Sequence, residues 1–212
     1  MEYRAVGNRC AVDLGTFSFS AAKSEVLALL LNKGFEIVPV DLIGLARRCM
    51  HTSTYRRSAR LSEAPEVVDC SSFMKWLYGQ RGIWLPRRSI QQREMGDTVA
   101  RTDIQAGDLV FSSGRIDYYL TDPEDGVGHV GIATDENTVI HAANRTLGII
   151  ESPLAHFTDN GTFRGARRLI PRDREVLTFL APSVRDVETS DDIRWILLQS
   201  ATTAPAYLCT SA

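Results

Sequence analysis

Hydrophobic residues change their spacing about halfway along this chain. Before residue 100 they recur at helical intervals. Over residues 21–31, Val26, Leu27, Leu29, Leu30 and Leu31 crowd together ahead of Gly34, which predicts a buried helix with a glycine stop. Asp41 stands where a cap belongs, and Leu42, Leu45, Ala46 and Cys49 follow as one apolar stripe. The pattern breaks over residues 58–65, as in a loop. Asp69-Cys70-Ser71-Ser72 then leads into Phe73, Trp76 and Leu77, with Gly79 and Gly82 beyond. This predicts a short helix whose first turn carries a cysteine.

From Asp108 onward the spacing is that of strands. Leu109-Val110-Phe111, residues 130–134 and residues 139–142 read as three strands, and Ile149-Ile150 and residues 163–169 as two weaker ones. Helices first and strands afterwards predict an α+β fold with an antiparallel sheet. In the tail, Thr189-Ser190-Asp191-Asp192 precedes Ile193, Trp195, Ile196, Leu197 and Leu198, the pattern of a capped helix. Residues 200–212 read as a frayed end. No internal repeat or long Pro/Gly/Ser linker divides the chain.

Composition narrows the classes. The 212 residues are 44% hydrophobic and 24% charged, enough apolar material for one sizeable core. A formal charge of −2 gives no net attraction to nucleic acid or an anionic membrane. No run approaches the ~20 apolar residues of a membrane helix, and the polar start of the chain does not read as a secretory signal. Cellular location stays open between the cytoplasm and export by a route without a signal. Of the 24 basic residues 21 are arginine, a bias that suits forked binding of carboxylates and that Arg-rich genomes also produce. Cys10, Cys49, Cys70 and Cys209 are irregularly spaced and suggest neither a disulfide framework nor a zinc site, so free thiols are expected and no metal or cofactor.

Cys70 is the residue with chemical promise. At a helix N-terminus a thiol meets unpaired backbone N–H groups and the positive end of the dipole, which predicts a lowered pKa and a site for an oxyanion. The bland alternative is a small core residue. A nucleophile needs a base, and His129 and His141 fall in two candidate strands joined about Asp135-Glu136-Asn137. Side chains alternate along a strand, so both imidazoles share a face if the turn holds an odd number of residues, and face apart if it holds two. On the shared-face arrangement His129 takes the thiol proton and His141 orients it, with Asn144 as a fallback orienter. His51 and His156 read as structural or exposed.

Six consecutive blocks from residue 41 to 169 resemble the NlpC family of papain-like cysteine peptidases, which cleave cell-wall peptides. They are Tyr55-Arg56, Asp69-Cys70-Ser71, Leu85-Pro86-Arg87-Arg88-Ser89 with Gln92, Ala106-Gly107-Asp108-Leu109-Val110-Phe111, Gly128-His129-Val130-Gly131-Ile132 and Ile140-His141-Ala142. The resemblance implies a papain-like domain over residues 41–170, a helical extension over 1–40 and a C-terminal extension with one helix over 171–212. It implies Cys70, His129 and His141 as the catalytic set. It also implies that Tyr55, Asp69 and Ser71 bind the substrate's amino end, although Asp69 or Ser71 could simply cap the helix. Arg56 and Arg57 could meet substrate carboxylates or form a solvated loop face.

The chain departs from the family in three places. Ser72 stands where glycine is usual, and Ala106 where proline is. Residues 113–127, with four acidic side chains, are longer than the usual connection and read either as a flap over the groove or as a tolerated surface loop. The implied activity is hydrolysis of peptidoglycan stem peptides of the γ-D-glutamyl–diamino acid type. An amidase or acyltransferase on another small acyl substrate, or a silent module that binds cell-wall peptide, are the competing expectations. Oligomeric state cannot be read from the sequence.

Overall fold

The computed structural model describes residues 2–17, 22–159 and 161–202. Cys209 and most of the segment read as frayed lie outside the described residues. In chain order the elements are β1 (Arg9–Asp13), α1 (Lys23–Asn32), β2 (Glu36–Ile37), α2 (Leu42–Thr52), β3 (Thr54–Tyr55), β4 (Val67–Val68) and α3 (Cys70–Gln80). There follow α4 (Ser89–Gln92), β5 (Asp97–Val99), β6 (Leu109–Ser112), β7 (His129–Ala133), β8 (Thr138–Asn144) and β9 (Gly148–Pro153). The chain ends with α5 (Ala155–Thr158), β10 (Phe163–Arg168), β11 (Val176–Leu180) and α6 (Ser190–Thr202).

Strands β5-β10-β6-β7-β8-β9 form one six-stranded sheet in that order, antiparallel throughout. The α+β architecture is therefore as the spacing implied. Pleating splits the sheet's side chains between two layers. Val130, Ile132, Ile140 and Ala142 pack with Phe73, Met74 and Leu77 of α3 in the main core, together with Leu42, Ala46 and Cys49 of α2. Val110, Ala133 and Val139 turn the other way and meet Phe157 of α5. The Asp41 carboxylate accepts the Gly44 N–H at 2.9 Å, so α2 starts where its cap was predicted.

A second sheet, in the order β1-β11-β2, joins the two ends of the chain. Cys10 and Val12 of β1 and Phe179 of β11 close over Val26 and Leu30 of α1 and Ile193 and Leu197 of α6. The opposite face carries Ala11 and Val176 into the main core. The Ala11 N–H donates to the Gly82 carbonyl at 2.9 Å, and Arg81 donates to Thr178 Oγ1 at 2.7 Å, fixing this sheet to the end of α3. None of its three strands was read from the sequence, which gave each terminal segment only a helix.

Helix α1 corrects another expectation. It ends before Gly34, whose φ of +86° suits the residue after a helix. It is not a buried helix, however: only Val26 and Leu30 are buried, and Leu31 is 49% exposed, because α6 and β11 cover a single stripe. No described helix is long and apolar enough to cross a membrane.

Candidate active site

Backbone hydrogen bonding puts Cys70 at the first position of α3. Asp69 is the N-cap: its Oδ1 accepts the Ser72 N–H at 2.8 Å, while Ser72 Oγ accepts the Asp69 N–H at 2.8 Å. Ser72 therefore uses the side chain that a glycine would lack to close a reciprocal capping box, and it does so fully buried. Arg87 clamps the same turn, donating to both Asp69 oxygens at 3.1 and 2.5 Å, to Ser71 Oγ at 2.9 Å and to the Ala59 carbonyl at 2.9 Å. Gln92 Nε2 donates to the Ser71 and Pro86 carbonyls, each at 2.9 Å. Within the Leu-Pro-Arg-Arg-Ser block and its following Gln92, Arg87 and Gln92 thus brace the cysteine's turn from outside the helix.

The two histidines come together through the β7–β8 hairpin. Ile132 pairs with Ile140 and Ala133 with Val139, and Thr134 N–H donates to the Thr138 carbonyl at 2.9 Å. Three residues, Asp135, Glu136 and Asn137, remain in the turn, and Asn137 adopts φ +58°. The odd count places both imidazoles on one face. His129 Nε2 lies 2.7 Å from His141 Nδ1, and His141 Nε2 lies 3.0 Å from Ser152 Oγ on β9. Gly131 makes this approach possible, since a Cβ there would sit 2.9 Å from the Ile140 carbonyl oxygen and 3.0 Å from His141 Cβ.

That face is the one α5 covers. The Phe157 ring stacks on His129 with centroids 5.5 Å apart and meets His141 edge-on at 5.0 Å. Burial under this ring holds His129 well below the usual range, at about 4, and His141 at about 3, where the neighbouring His129 adds to the effect. Both imidazoles are neutral at pH 7. Helix α3 packs on the opposite face of the sheet, and the two layers meet at the start of β7. There Cys70 and His129 line one groove, and the backbone groups of Ser71 and Val130 lie where they favour the ionised Cys70 sulfur.

The thiol does not behave as a helix N-terminus alone would dictate. Burial, followed by the adjacent Asp69 carboxylate, pushes Cys70 up to about 11; the Ser71 and Val130 N–H groups and Arg87 pull the other way and do not win. A lowered pKa was expected from the sequence, and this corrects it: desolvation outweighs the dipole. Cys10 and Cys49 are free thiols buried in the cores, with pKa values likewise raised by burial.

The groove encloses about 970 Å³, and Tyr55, Asp69 and Ser71 line it beside Cys70. Burial, then Cys70 and Asp69, raise the Tyr55 phenol pKa. Asn144 is turned to another task, its Oδ1 accepting the Thr146 and Leu147 N–H groups at 2.9 and 3.0 Å in the β8–β9 turn. His51 and His156 are exposed. Residues Gly114, Arg115, Ile116 and Tyr118 of the long connection line the groove, and Arg93 pins its far end by donating to both Asp125 oxygens at 2.7 and 2.6 Å. Phe157, Ser152 and Arg115 escaped the sequence reading. Among the described residues no group of three or more His, Cys, Asp or Glu side chains is placed to hold a metal ion.

A thiol on a helix start, an imidazole pair on a neighbouring hairpin and the antiparallel sheet that contains that hairpin define a papain-like α+β domain. The chain belongs to the NlpC/P60 family, whose model matches residues 55–168. Over 101 residues it is 37% identical to a Corynebacterium glutamicum protein named probable endopeptidase, covering 47% of this chain and 43% of the relative. Over 110 residues it is 32% identical to the Escherichia coli murein DD-endopeptidase MepS/murein LD-carboxypeptidase, covering 50% and 51%. The chain thus spans about half the length of these relatives. Among solved structures, an NlpC/P60 family protein from Bacillus cereus superposes with a TM-score of 0.53 at 25% identity, covering 64% of this chain and 42% of that one.

Proposed function

We propose that this protein is a cysteine peptidase that hydrolyses amide bonds in peptidoglycan stem peptides of the γ-D-glutamyl–diamino acid type. The observation that carries the reading is the joint lining of one groove by Cys70 and His129, with His129, His141 and Ser152 in a hydrogen-bonded row behind them. That row couples the tautomers of the two rings. If His141 donates Nε2–H to Ser152, its Nδ1 accepts from His129 Nε2–H, and His129 Nδ1 keeps the lone pair of a base.

The resting pair is a neutral thiol and a neutral imidazole. The Cys70 sulfur attacks the amide carbon as its proton passes to His129. The first-turn N–H groups of α3 receive the oxyanion, and the carbon–nitrogen bond breaks as His129 returns the proton to the leaving amine. Water then adds to the thioester with His129 as base, and the thiol leaves with the proton restored. His141 orients His129, and Tyr55, Asp69 and Ser71 bind the amino end of the substrate. Here Asp69 keeps Arg87 as a neutralising partner.

Relatives at similar identity carry names for different bonds, the Bacillus subtilis one, 30% identical over 122 residues, being a gamma-DL-glutamyl hydrolase. Incubation of the purified protein with the tetrapeptide L-Ala-γ-D-Glu-meso-diaminopimelate-D-Ala, followed by mass mapping, tests the assignment. Release of L-Ala-D-Glu is expected. Cleavage that persists in Cys70→Ala would overturn the mechanism, and cleavage only at the D-Ala end would overturn the bond.

A further inference from the structure

Arginine is concentrated in the groove far beyond its share of the chain. Arg57, Arg60, Arg87, Arg88, Arg115 and Arg145 are six of the 22 residues lining it, against 21 of 212 overall, and Asp69 is the one carboxylate among them. The protein as a whole carries a formal charge of −2, so this is a local field and not a basic surface. The arginines come from separate segments: the loop after β3, the approach to α4, the long connection before β7, and the β8–β9 turn.

Only Arg87 is matched by a carboxylate of the lining, the Asp69 it clamps. Arg57 and Arg88 both lie close enough to Tyr118 to lower its phenol pKa, and Arg88 lies 4.8 Å over the Tyr118 ring. Two guanidiniums thus face one neutral side chain. The side chains of Arg115 and Arg145 have no hydrogen-bond or ion-pair partner among the described residues. Like charges gathered in a partly enclosed groove repel one another, and a ligand that brings carboxylates relieves that repulsion through forked, charge-assisted bonds.

We infer that the groove selects γ-glutamyl substrates bearing at least two free carboxylates, read by Arg57, Arg88, Arg115 and Arg145. This rests on the peptidase reading above and deepens it. A γ-linkage leaves the glutamyl α-carboxylate free, two methylenes from the scissile carbonyl, and the following residue supplies a second anion. An ordinary α-peptide offers no such charge beside its scissile bond unless a side chain provides it. The same chemistry occurs in a stem peptide and in a γ-linked polyglutamate chain. Substrates whose carboxylates are amidated keep their shape and lose the recognised charge.

Calorimetric binding to the Cys70→Ala protein tests this without requiring turnover. The probes are L-Ala-γ-D-Glu-meso-diaminopimelate, a γ-linked tetraglutamate, and each peptide with its carboxylates amidated. At least one acid should bind ten-fold or more tightly than its own amide in low salt, with the preference shrinking as salt rises. In an Arg115→Gln, Arg145→Gln background the preference should fall below about three-fold. The acid with the larger preference identifies the source of the carboxylates. Equal binding of each acid and its amide, or a preference untouched by the double substitution, would overturn the inference. If wild-type protein cleaves none of the probes while Cys70→Ala still prefers an acid, the peptidase reading fails and the carboxylate selectivity stands.

Discussion

The two sheets of this protein use burial for different ends. Beneath the three-stranded sheet, Cys10, Val12, Leu30, Phe35, Phe179 and Ile193 fill an apolar cluster, and the buried polar groups of this region, Thr178 and Ser190 among them, serve only to tie strand and helix ends together. Around the six-stranded sheet, apolar packing surrounds polar groups that are also shut away from water: Asp69, Ser71, Ser72, His141 and Ser152 are each less than a tenth exposed. In the first region burial supplies cohesion. In the second it sets protonation states, and its cost is met by hydrogen bonds such as the several that converge on Asp69. Cohesion and chemistry should therefore separate on mutation.

The largest effect is expected from a matched pair of substitutions. Cys70→Ala removes the proposed nucleophile and should lower turnover by about 10⁴-fold or more with little change in melting temperature. Phe179→Ala empties the middle of the terminal core, where the ring is fully buried and edge-on to Phe35 at 6.4 Å. It should cost about 3–5 kcal/mol, roughly 10 °C in a chain this long, and leave kcat/KM of the folded protein near wild type. Thermal melts and initial rates on both variants check the contrast. A Phe179→Ala protein that melts normally, or a Cys70→Ala protein that melts 10 °C early, would break it.

Much of the chemical region was legible because its information is local. The hairpin histidines, the glycine between them and the capped cysteine each sit within a few residues of their partners, and spacing alone restricts the turn to two cases. The terminal sheet was not legible for the opposite reason. Its strands pair Arg9 with Leu180 and Asp13 with Val176, and short runs such as Arg9–Asp13 carry no turn signal that points across most of the chain. The same holds for Phe157 and Ser152, whose importance appears only once α5 and β9 lie against the imidazoles. Residues 21–31 misled because crowded leucines report apolar content and not how many neighbours arrive to cover them. The thiol pKa was misjudged because a helix terminus is visible in sequence, whereas the burial that opposes it is not.

A medium effect should appear as pH falls. His129 and His141 are held at about 4 and about 3 in the folded protein, against 6.5 in an unfolded chain. Between these values the unfolded chain binds protons that the native state refuses, so stability present above about pH 6.5 is lost on the way down to 4 and 3. Melting temperature should drop over that window, and His141→Gln should flatten the slope. For the same reason kcat/KM should hold on the acid side below pH 6, wherever circular dichroism shows the fold intact. With the thiol pushed up to about 11, iodoacetamide should label Cys70 faster than the buried Cys10 and Cys49, at a rate that climbs through pH 9. Full-rate alkylation at pH 7 would mean the sulfur is already ionised there, and the neutral-pair description would fail.

The smallest effect tests how far the polar row extends. Ser152 does not line the groove; it lies 3.0 Å from His141 Nε2, on the strand beyond the hairpin, so any effect on the chemistry would run through His141. With Ser152 as acceptor, the His141 proton sits on Nε2, which leaves Nδ1 to accept from His129 and keeps the His129 lone pair available at its other nitrogen. Ser152→Ala deletes that partner in a buried position and lets the His141 tautomer shift. About a three- to ten-fold loss in kcat is expected with KM unchanged, because no binding contact is removed. Ser152→Thr, which keeps the hydroxyl, should restore most of the rate, and nitrogen-15 chemical shifts of the His141 ring should report the tautomer directly. A purely structural role would instead lower stability in both variants and leave the tautomer signal where it was, confining the chemistry to the two histidines and returning Ser152 to the packing of β9.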